Sequence, residues 1–302
     1  MVTTKQKLMK RYQRLTAVLM LLAGQMLLSI VPGSAMLAAQ AEQPMKVLCI
    51  GNSFSIDAVE NNLVQLASER GIDMYVGNLY IGGCSLERHA LNIRRDSAAY
   101  SYRVMQREAD GTFSRTVTDS VSIMQALLSQ EWDVITMQQA SHFSGQWFTY
   151  EPFLTELIDS VKLHISPKTK IYWYMTWAYQ QDAKHPAFMP NYNNDQSYMY
   201  SEIVGCNRQV LKRHTFDGFI PGGIAIQQAR QTKLGDTLCR DGFHLSYTYG
   251  RYLMACLWLE VLTGKSAQGC KYMAEGMTPD QRKIVQRVAH RTAKRGLKGL
   301  ED

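Results

Sequence analysis

The sequence predicts an α/β protein in which helices cover both faces of a mostly parallel β-sheet. Short apolar runs rich in strand-forming residues alternate along the chain with longer segments of helical periodicity. This alternation is typical of parallel sheets with helical crossovers. Three of the strands end in loops rich in glycine or side-chain amides, a pattern expected at the carboxyl edge of such a sheet. The predicted length, about 260 residues after a leader, suits one domain, 42–302.

In the first half, Gly51 interrupts an apolar strand pattern and a helical pattern follows it. Asp110-Gly111 suits a tight primed turn, and we expect the hairpin that it closes to be an excursion on the surface of the sheet. The predicted elements are strand 45–50, helix 57–70, strand 73–80, helix 86–96, hairpin strands 100–107 and 112–117, helix 120–129 and strand 132–137.

In the second half, residues 180–196 are polar and contain two prolines, which indicates a long loop over the carboxyl edge. The last helix begins at a capping box, with Thr278 as the cap, Pro279 at the first position and Gln281 at the third. The other predicted elements are helix 151–164, strand 170–177, helix 198–213, strand 216–220, helix 224–231 and helix 246–262.

The first 41 residues are predicted to be a secretory signal peptide. Five basic residues precede an apolar run at 15–30, and Ala39-Gln40-Ala41 is a small-x-small cleavage site. The run is short for a membrane span, which favours cleavage over an uncleaved anchor. We therefore expect an exported protein, periplasmic or extracellular, with no membrane attachment after cleavage.

The positive charge of the chain belongs largely to this leader. The formal charge is +7, with 33 basic and 26 acidic residues, and residues 1–41 hold five basic and no acidic ones, which leaves 28 − 26 = +2. A nucleic-acid partner is therefore not indicated. The remaining basic cluster lies in the C-terminal helix, 278–296, and a solvated helix face explains it better than a polyanion site.

The six cysteines follow the leader and do not form a metal or redox motif. Without a CxxC pair or a ligand cluster at metal spacing, we expect neither a metal nor a cofactor. Export permits disulfides, and Cys239 could pair with Cys206 or with Cys270. Cys84 is a rival candidate nucleophile, although a packed thiol is the more common role.

The strand ends and one late loop together supply the groups that acyl transfer requires. Ser53 follows the first strand, Gly83 follows the second, and Asp241 and His244 lie just before a late helix. Acyl transfer needs a hydroxyl nucleophile, a base and a carboxylate that orients the base. It also needs donors for the oxyanion, here the N–H groups of Ser53 and Gly83 and the amide of Gln138 or Gln139.

The order of these motifs resembles that of the SGNH (GDSL-like) hydrolase superfamily, and more narrowly an uncharacterised secreted branch of it. The resemblance covers almost all of the chain after the leader, and its last motif is the most specific. The motifs that carry it are Ile50-Gly51-Asn52-Ser53-Phe54-Ser55, Ile81-Gly82-Gly83-Cys84-Ser85-Leu86-Glu87-Arg88-His89, Gln138-Gln139-Ala140-Ser141-His142 and Asp241-Gly242-Phe243-His244-Leu245-Ser246.

The resemblance implies a three-layer α/β/α sandwich with a flavodoxin-like sheet and hydrolysis of esters, often acetyl groups on carbohydrates. It implies Ser53 as the nucleophile, His244 as the base and Asp241 as its orienting carboxylate. Two departures stand out: Asn52 replaces the usual Asp, and the third motif lacks the Asn that supplies an oxyanion donor. We expect Gln138 or Gln139 to take that role, since a longer side chain also carries an amide.

Substrate contacts are expected from polar and aromatic side chains near the strand ends. Asn52 and His142 are polar candidates, and Trp147, Trp177 and Tyr179 could stack on a sugar ring. Two functions follow from these residues. The first is a serine esterase that removes an acyl group from a glycan, and the second is a weak or inactive glycan-binding protein with the same fold.

Overall fold

The protein contains a seven-stranded sheet with the strand order β4-β3-β2-β1-β5-β6-β7. This computed structural model describes residues 43–301, so the predicted signal peptide lies outside the described residues. β1, β2, β5, β6 and β7 are parallel, whereas β3 and β4 are antiparallel. The predicted fold class, a three-layer α/β/α sandwich with a mostly parallel sheet, is confirmed.

The element bounds follow the predicted order. The strands are β1 Met45–Gly51, β2 Met74–Tyr80, β3 Tyr100–Arg107, β4 Phe113–Val121, β5 Val134–Met137, β6 Lys170–Tyr174 and β7 Gly218–Ile220. The helices are α1 Ser53–Val59, α2 Leu63–Glu69, α3 Leu86–Arg94, α4 Ile123–Leu128, α5 Phe153–Lys162, α6 Phe188–Tyr192, α7 Gln196–Arg213, α8 Gly222–Arg230, α9 Tyr249–Thr263 and α10 Pro279–Arg295. Short 3-10 turns lie at Ser141–Phe143, Trp147–Thr149 and Gly296–Leu300.

The five parallel strands have the order of a flavodoxin-like sheet. Numbered by themselves along the chain, β2, β1, β5, β6 and β7 read 2-1-3-4-5. The order reverses between β1 and β5, so the loops that follow these two strands diverge at this point. Ligands of open α/β sheets bind in the crevice outside the carboxyl ends at such a switch point.

Helices cover the sheet on both faces. α9 packs against α1, α2, α8 and α10 on one face, while α3 contacts α4 and α5 on the other. Nearly every side chain of α9 is buried, because this helix is enclosed by the sheet and by its helical neighbours. None of the helices within residues 43–301 is long and apolar enough to cross a membrane.

The hairpin is present, but both its turn and its place differ from the prediction. The Gly111 N–H donates to the Glu108 carbonyl at 2.9 Å, so Ala109 and Asp110 are the central residues, and Asp110 is not among the described residues with the positive φ of a primed turn. β3 and β4 do not lie on the surface of the sheet; they extend it, since β3 pairs with β2 along the whole strand. Buried Glu60 connects this extension to the helical layer, accepting hydrogen bonds from Asn78 at 2.7 Å and from Arg115 at 2.9 Å. The pairing of β3 with the edge of β2 and the hydrogen bonds of this buried carboxylate together hold the hairpin in the sheet.

Other boundaries also differ from the predictions. The helix predicted at 57–70 is two helices, because the chain turns at Glu60 and Asn62, whose side chains bond to Asn78 and to Tyr272. The predicted loop 180–196 contains the short helix α6. All six cysteines are free, so neither predicted disulfide is formed.

Candidate active site

Ser53 lies where β1 turns into α1, at the carboxyl edge of the sheet. Gly51 makes this turn possible, because a Cβ there would lie 2.5 Å from Ser55 Oγ and 2.9 Å from Gln138 Oε1. Asn52 is the helix cap and accepts the N–H of Phe54 at 3.0 Å. Ser53 is therefore the first helical residue rather than the cap. Among residues 43–301, no hydrogen bond engages its hydroxyl or its N–H.

Asn52 is a buried connector between three strand-end loops, with 1% of its surface exposed. Its Oδ1 accepts from Gln138 Nε2 at 3.0 Å, and its Nδ2 donates to the Cys84 carbonyl at 3.1 Å. The loops after β1, β2 and β5 are thereby joined at one side chain. We predicted that Asn52 contacts the substrate, but its burial opposes that role. The side chain braces the turn instead.

The two glutamines are also committed to the protein. Gln138 donates to Asn52, and Gln139 donates to the carbonyl and hydroxyl of Thr149, both at 3.1 Å. Gln139 Oε1 accepts from the N–H groups of Leu86 and Ala140. Both side chains are buried. Gln139 Nε2 thus makes two hydrogen bonds, whereas Gln138 Nε2 makes one and keeps a second N–H. It is the burial of both side chains that opposes their predicted role as oxyanion donors.

Gly83 presents a backbone donor beside Ser53's loop. It is exposed and has a φ of +60°, and no described residue accepts its N–H. Positive φ is accessible to glycine without the steric cost that other residues incur. A Cβ on Gly83 would lie 3.9 Å from His142 Cε1, so that imidazole lies beside Gly83.

Asp241 and His244 form a hydrogen-bonded pair. Asp241 Oδ2 accepts from His244 Nδ1 at 2.7 Å, and its Oδ1 accepts the N–H of His244 at 2.7 Å and that of Phe243 at 3.2 Å. Partial burial by itself would raise the pKa of the Asp241 carboxyl, but these donors outweigh it and the pKa lies below its usual value. The ionised carboxylate thus holds the imidazole with Nε2 free to exchange a proton.

Asp57 attaches this loop to the helix that carries Ser53. The carboxylate is fully buried and accepts from Arg251 Nε at 2.8 Å, from Arg240 at 3.1 Å and from the Leu245 N–H at 2.7 Å. A buried carboxylate is stable only when paired and hydrogen-bonded, as here. Sequence reasoning did not single out Asp57, since no local pattern distinguishes a long-range anchor.

Aromatic packing joins the same two segments. Phe54 stacks on Trp177 with ring centroids 4.0 Å apart, and Trp177 Nε1 donates to the Phe243 carbonyl at 2.8 Å. The Phe54 and His244 ring centroids are 6.0 Å apart. Ser53, the neighbour of Phe54, and His244 therefore lie on the same side of the sheet edge. No hydrogen bond joins Ser53 to His244 within the described chain.

Two further histidines lie close to this pair. The ring centroids of His142 and His185 are 6.1 Å apart, and His185 packs against Phe243 at 4.8 Å. Burial is the main cause that lowers the pKa of His185, and the nearby imidazoles of His142 and His244 lower it further. Burial also lowers the pKa of His142. His185 was not singled out from the sequence; its place in the loop after β6 was the available signal.

The predicted sugar platforms are not open stacking surfaces. Trp177 and Tyr179 are fully buried, and Tyr179 shares a hydrogen bond with Ser141. Trp147 packs against Arg213, at the end of α7. It also stacks on buried Tyr150, with ring centroids 5.3 Å apart. Trp177 and Tyr179 instead contact Phe243, the residue before His244.

Cys84 is an unsuitable nucleophile in this fold. Burial raises the pKa of its thiol to about 12, so the thiol is protonated at neutral pH. His89, its neighbour at 3.6 Å, is itself fully buried and cannot contact a substrate. In the part of the chain that the structure describes, no group of three or more His, Cys, Asp or Glu residues could hold a metal ion.

Two grooves on the basic C-terminal helix lie apart from this site. Their volumes are 370 and 600 Å³, and Thr232, Val288 and Arg291 line both of them. None of the predicted catalytic residues contributes to either groove. The candidate catalytic side chains therefore lie at the strand ends, outside both grooves.

The fold and the site define an α/β/α protein with an unengaged serine and an Asp–His pair at the switch point of its sheet. The chain belongs to the DUF4886 family, described as a domain of unknown function, whose model matches residues 46–293. It is similar to a DUF4886 family protein from Bacteroides uniformis of known crystal structure. The two are 43% identical with a TM-score of 0.78, over 83% of this chain and 95% of that chain.

More distant similarities concern TesA and a GDSL-like lipase from Bacteroides thetaiotaomicron. They are 10% and 9% identical to this chain, with TM-scores of 0.46 and 0.42. They cover 73% and 72% of this chain, and the matches span 99% and 86% of their own chains. Scores this low carry no argument about activity. No curated protein matches the chain.

Proposed function

We propose that this protein is an exported serine esterase that hydrolyses an O-acyl ester, with Ser53 as nucleophile, His244 as base and Asp241 as orienting carboxylate. The observation that carries the proposal is the 2.7 Å Asp241–His244 hydrogen bond, in a loop fastened through buried Asp57 to the helix that begins at Ser53. This arrangement supplies a base with a fixed tautomer near a hydroxyl that no described residue engages.

In the proposed reaction, Ser53 Oγ attacks the ester carbonyl carbon while its proton passes to His244 Nε2. The carbonyl oxygen becomes an oxyanion, for which the N–H groups of Ser53 and Gly83 are the proposed donors. The ester C–O bond then breaks, and His244 returns the proton to the leaving alcohol. Water repeats the sequence on the acyl-enzyme, which releases the acid and restores Ser53.

The substrate class is part of the proposal and comes from the resemblance to SGNH hydrolases. It is an O-acyl group, most simply acetyl, on a carbohydrate outside the cytoplasm. The burial of Trp177 and Tyr179 means that a sugar would have to be held mainly by polar contacts or by other rings.

Replacing the nucleophile tests this mechanism. Ser53→Ala removes a partly exposed hydroxyl and should reduce hydrolysis of p-nitrophenyl acetate to background, because no acyl-enzyme can form. Ser55→Ala is not a suitable control, since Ser55 Oγ is buried and bonds to Asn78 at 2.7 Å. Ser201→Ala, an exposed serine on α7, serves instead. Wild-type turnover by folded Ser53→Ala protein would contradict the proposal.

A second candidate is a glycan-binding protein with little or no catalysis. The observation that favours it is the burial of both glutamine side chains, which bond to Asn52 and Thr149 and expose no amide to a bound substrate. Labelling of Ser53 by a fluorophosphonate distinguishes the two. Stoichiometric labelling supports the esterase, whereas sugar binding without labelling supports the binding protein.

A further inference from the structure

We propose that the His142 side chain is the third oxyanion donor of this site, the role predicted for the buried glutamines. This inference rests on the proposed esterase function. An oxyanion hole built on two backbone N–H groups commonly includes a side-chain donor as well. The residues that sequence reasoning offered for that role are committed to other partners.

The position of His142 is the first support. The ring atom Cε1 lies 3.9 Å from where a Gly83 Cβ would be, and both ring nitrogens are bonded to that carbon. The imidazole therefore lies beside Gly83, the residue whose N–H is one of the two proposed backbone donors. The neighbouring residues at the end of β5 either point into the protein, as Gln138 and Gln139 do, or lack a polar side chain, as Ala140 does.

The unengaged ring nitrogens are the second support. Among residues 43–301, no hydrogen bond reaches Nδ1 or Nε2 of His142, and the residue is only partly buried. By contrast, His185 Nδ1 accepts the Ala187 N–H at 3.1 Å and His244 Nδ1 is held by Asp241. A neutral imidazole carries one N–H, so His142 has a donor available at the sheet edge.

The backbone of His142 is held in place, which an oxyanion donor requires. Its carbonyl accepts from Asn191 Nδ2 at 2.8 Å and from the Tyr192 hydroxyl at 3.1 Å. The ring packs on Phe143 with centroids 4.0 Å apart. A donor fixed before the reaction needs no reorganisation as charge develops, and this is the source of its catalytic effect.

Two substitutions at His142 separate donation from packing. His142→Phe keeps a flat ring against Phe143 but removes the donor, and should reduce kcat about 10²- to 10³-fold with little change in KM. His142→Gln restores an N–H and should recover at least about tenfold of that loss. His164→Phe, at an exposed histidine outside the site, is the matched control and should retain wild-type kcat.

Binding of phenylboronic acid provides a second readout. Its tetrahedral adduct with Ser53 mimics the oxyanion, so its affinity should fall in His142→Phe in parallel with kcat, while KM stays constant. Unchanged kcat and boronate affinity in His142→Phe would overturn the inference, as would a loss that appears in His185→Phe instead. Stoichiometric labelling of Ser53 by a fluorophosphonate in these variants would support the esterase proposal separately from the role of His142. Absence of labelling in the wild type would contradict the esterase proposal.

Discussion

At the scale of single residues, Asp57 connects the two halves of the candidate site. One buried carboxylate accepts from Arg240, Arg251 and the Leu245 N–H, and so attaches the His244 loop to α1. Local sequence gives no indication of this role, because its partners are more than 180 residues away. Ser53, Asp241 and His244 could be proposed from the sequence, since each belongs to a short motif with its own chemistry.

Asp57→Asn should impair both stability and catalysis. The amide keeps one acceptor, but its NH₂ group faces guanidinium donors, and breaking a buried ion pair costs about 3–5 kcal/mol. Because the His244 loop loses its anchor, kcat should fall at a temperature where the variant is folded, with KM nearly constant. Stability from urea unfolding and kcat from p-nitrophenyl acetate hydrolysis measure the two effects.

Asp217→Asn is the control for this change. Asp217 also accepts a backbone N–H, that of Ile171 at 2.8 Å, but it is exposed and lies before β7 at the opposite edge of the sheet. Its substitution should leave kcat unchanged. A fully active, fully stable Asp57→Asn protein would show that Asp57 does not anchor the loop.

At the scale of elements, the Asp241–His244 loop is shaped by its contact with the loop after β6. Gly242 has a φ of +88°, and its carbonyl accepts the Gln180 N–H at 2.7 Å. A Cβ at this position would lie 2.8 Å from both Cα and Cβ of Ala183. The backbone conformation and the close approach together require glycine between the aspartate and the histidine.

Gly242→Ala should therefore displace the Asp–His pair, whereas Gly264→Ala should only strain the backbone. Gly264 caps α9 with a φ of +70°, and a Cβ added there would meet no atom within 4 Å. Each change should cost about 1–2 kcal/mol of stability for the positive φ. Only Gly242→Ala should also lower kcat/KM, by at least about tenfold. Equal activities in the two variants, measured in parallel, would contradict this account.

Helices and strands were predicted well where a local pattern defines them, and poorly where residues distant in sequence determine their bounds or their place in the fold. The capping box at Thr278 was predicted correctly, because it depends on residues within one turn. The hairpin strands were also found, although the turn between them is not the predicted primed one. The placement of the β3–β4 hairpin was wrong, since the open edge of β2 and the buried Glu60 carboxylate determine it. The division of 57–70 into two helices has the same origin.

At the scale of the whole molecule, burial of His89 makes stability depend on pH. The imidazole is fully buried, Nδ1 is 2.8 Å from the Tyr100 hydroxyl, and Nε2 has no partner among the described residues. Burial lowers the pKa of His89 to about 3, from an ordinary value of 6.5. Below pH 6.5 the unfolded chain therefore binds a proton that the folded chain does not accept until about pH 3.

The free energy of unfolding should consequently fall as the pH decreases from 6.5. One such proton contributes about 1.4 kcal/mol per pH unit, or about 2 kcal/mol between pH 6.5 and pH 5. Over the same interval, the free energy of unfolding of His89→Asn should fall by about 2 kcal/mol less than that of the wild type, whatever the stability of the variant at pH 7. His164→Asn, at an exposed histidine, should follow the wild type. Parallel urea unfolding at pH 7 and pH 5 measures the difference, and identical pH slopes in wild type and His89→Asn would contradict it.

The sequence by itself determined the α/β class and the order of the parallel strands' motifs, and it singled out Ser53, Asp241 and His244 as candidates, because periodicity and short motifs are local properties. Tertiary structure decided which polar side chains remain available. In the sequence, Asn52, Gln138 and Gln139 are all candidates for contacts with the substrate or the oxyanion. In the structure all three are buried and bond to other protein groups, since an unpaired amide inside the protein is costly. Packing around the switch point left His142 beside Gly83 with free nitrogens, and no local pattern encodes that outcome.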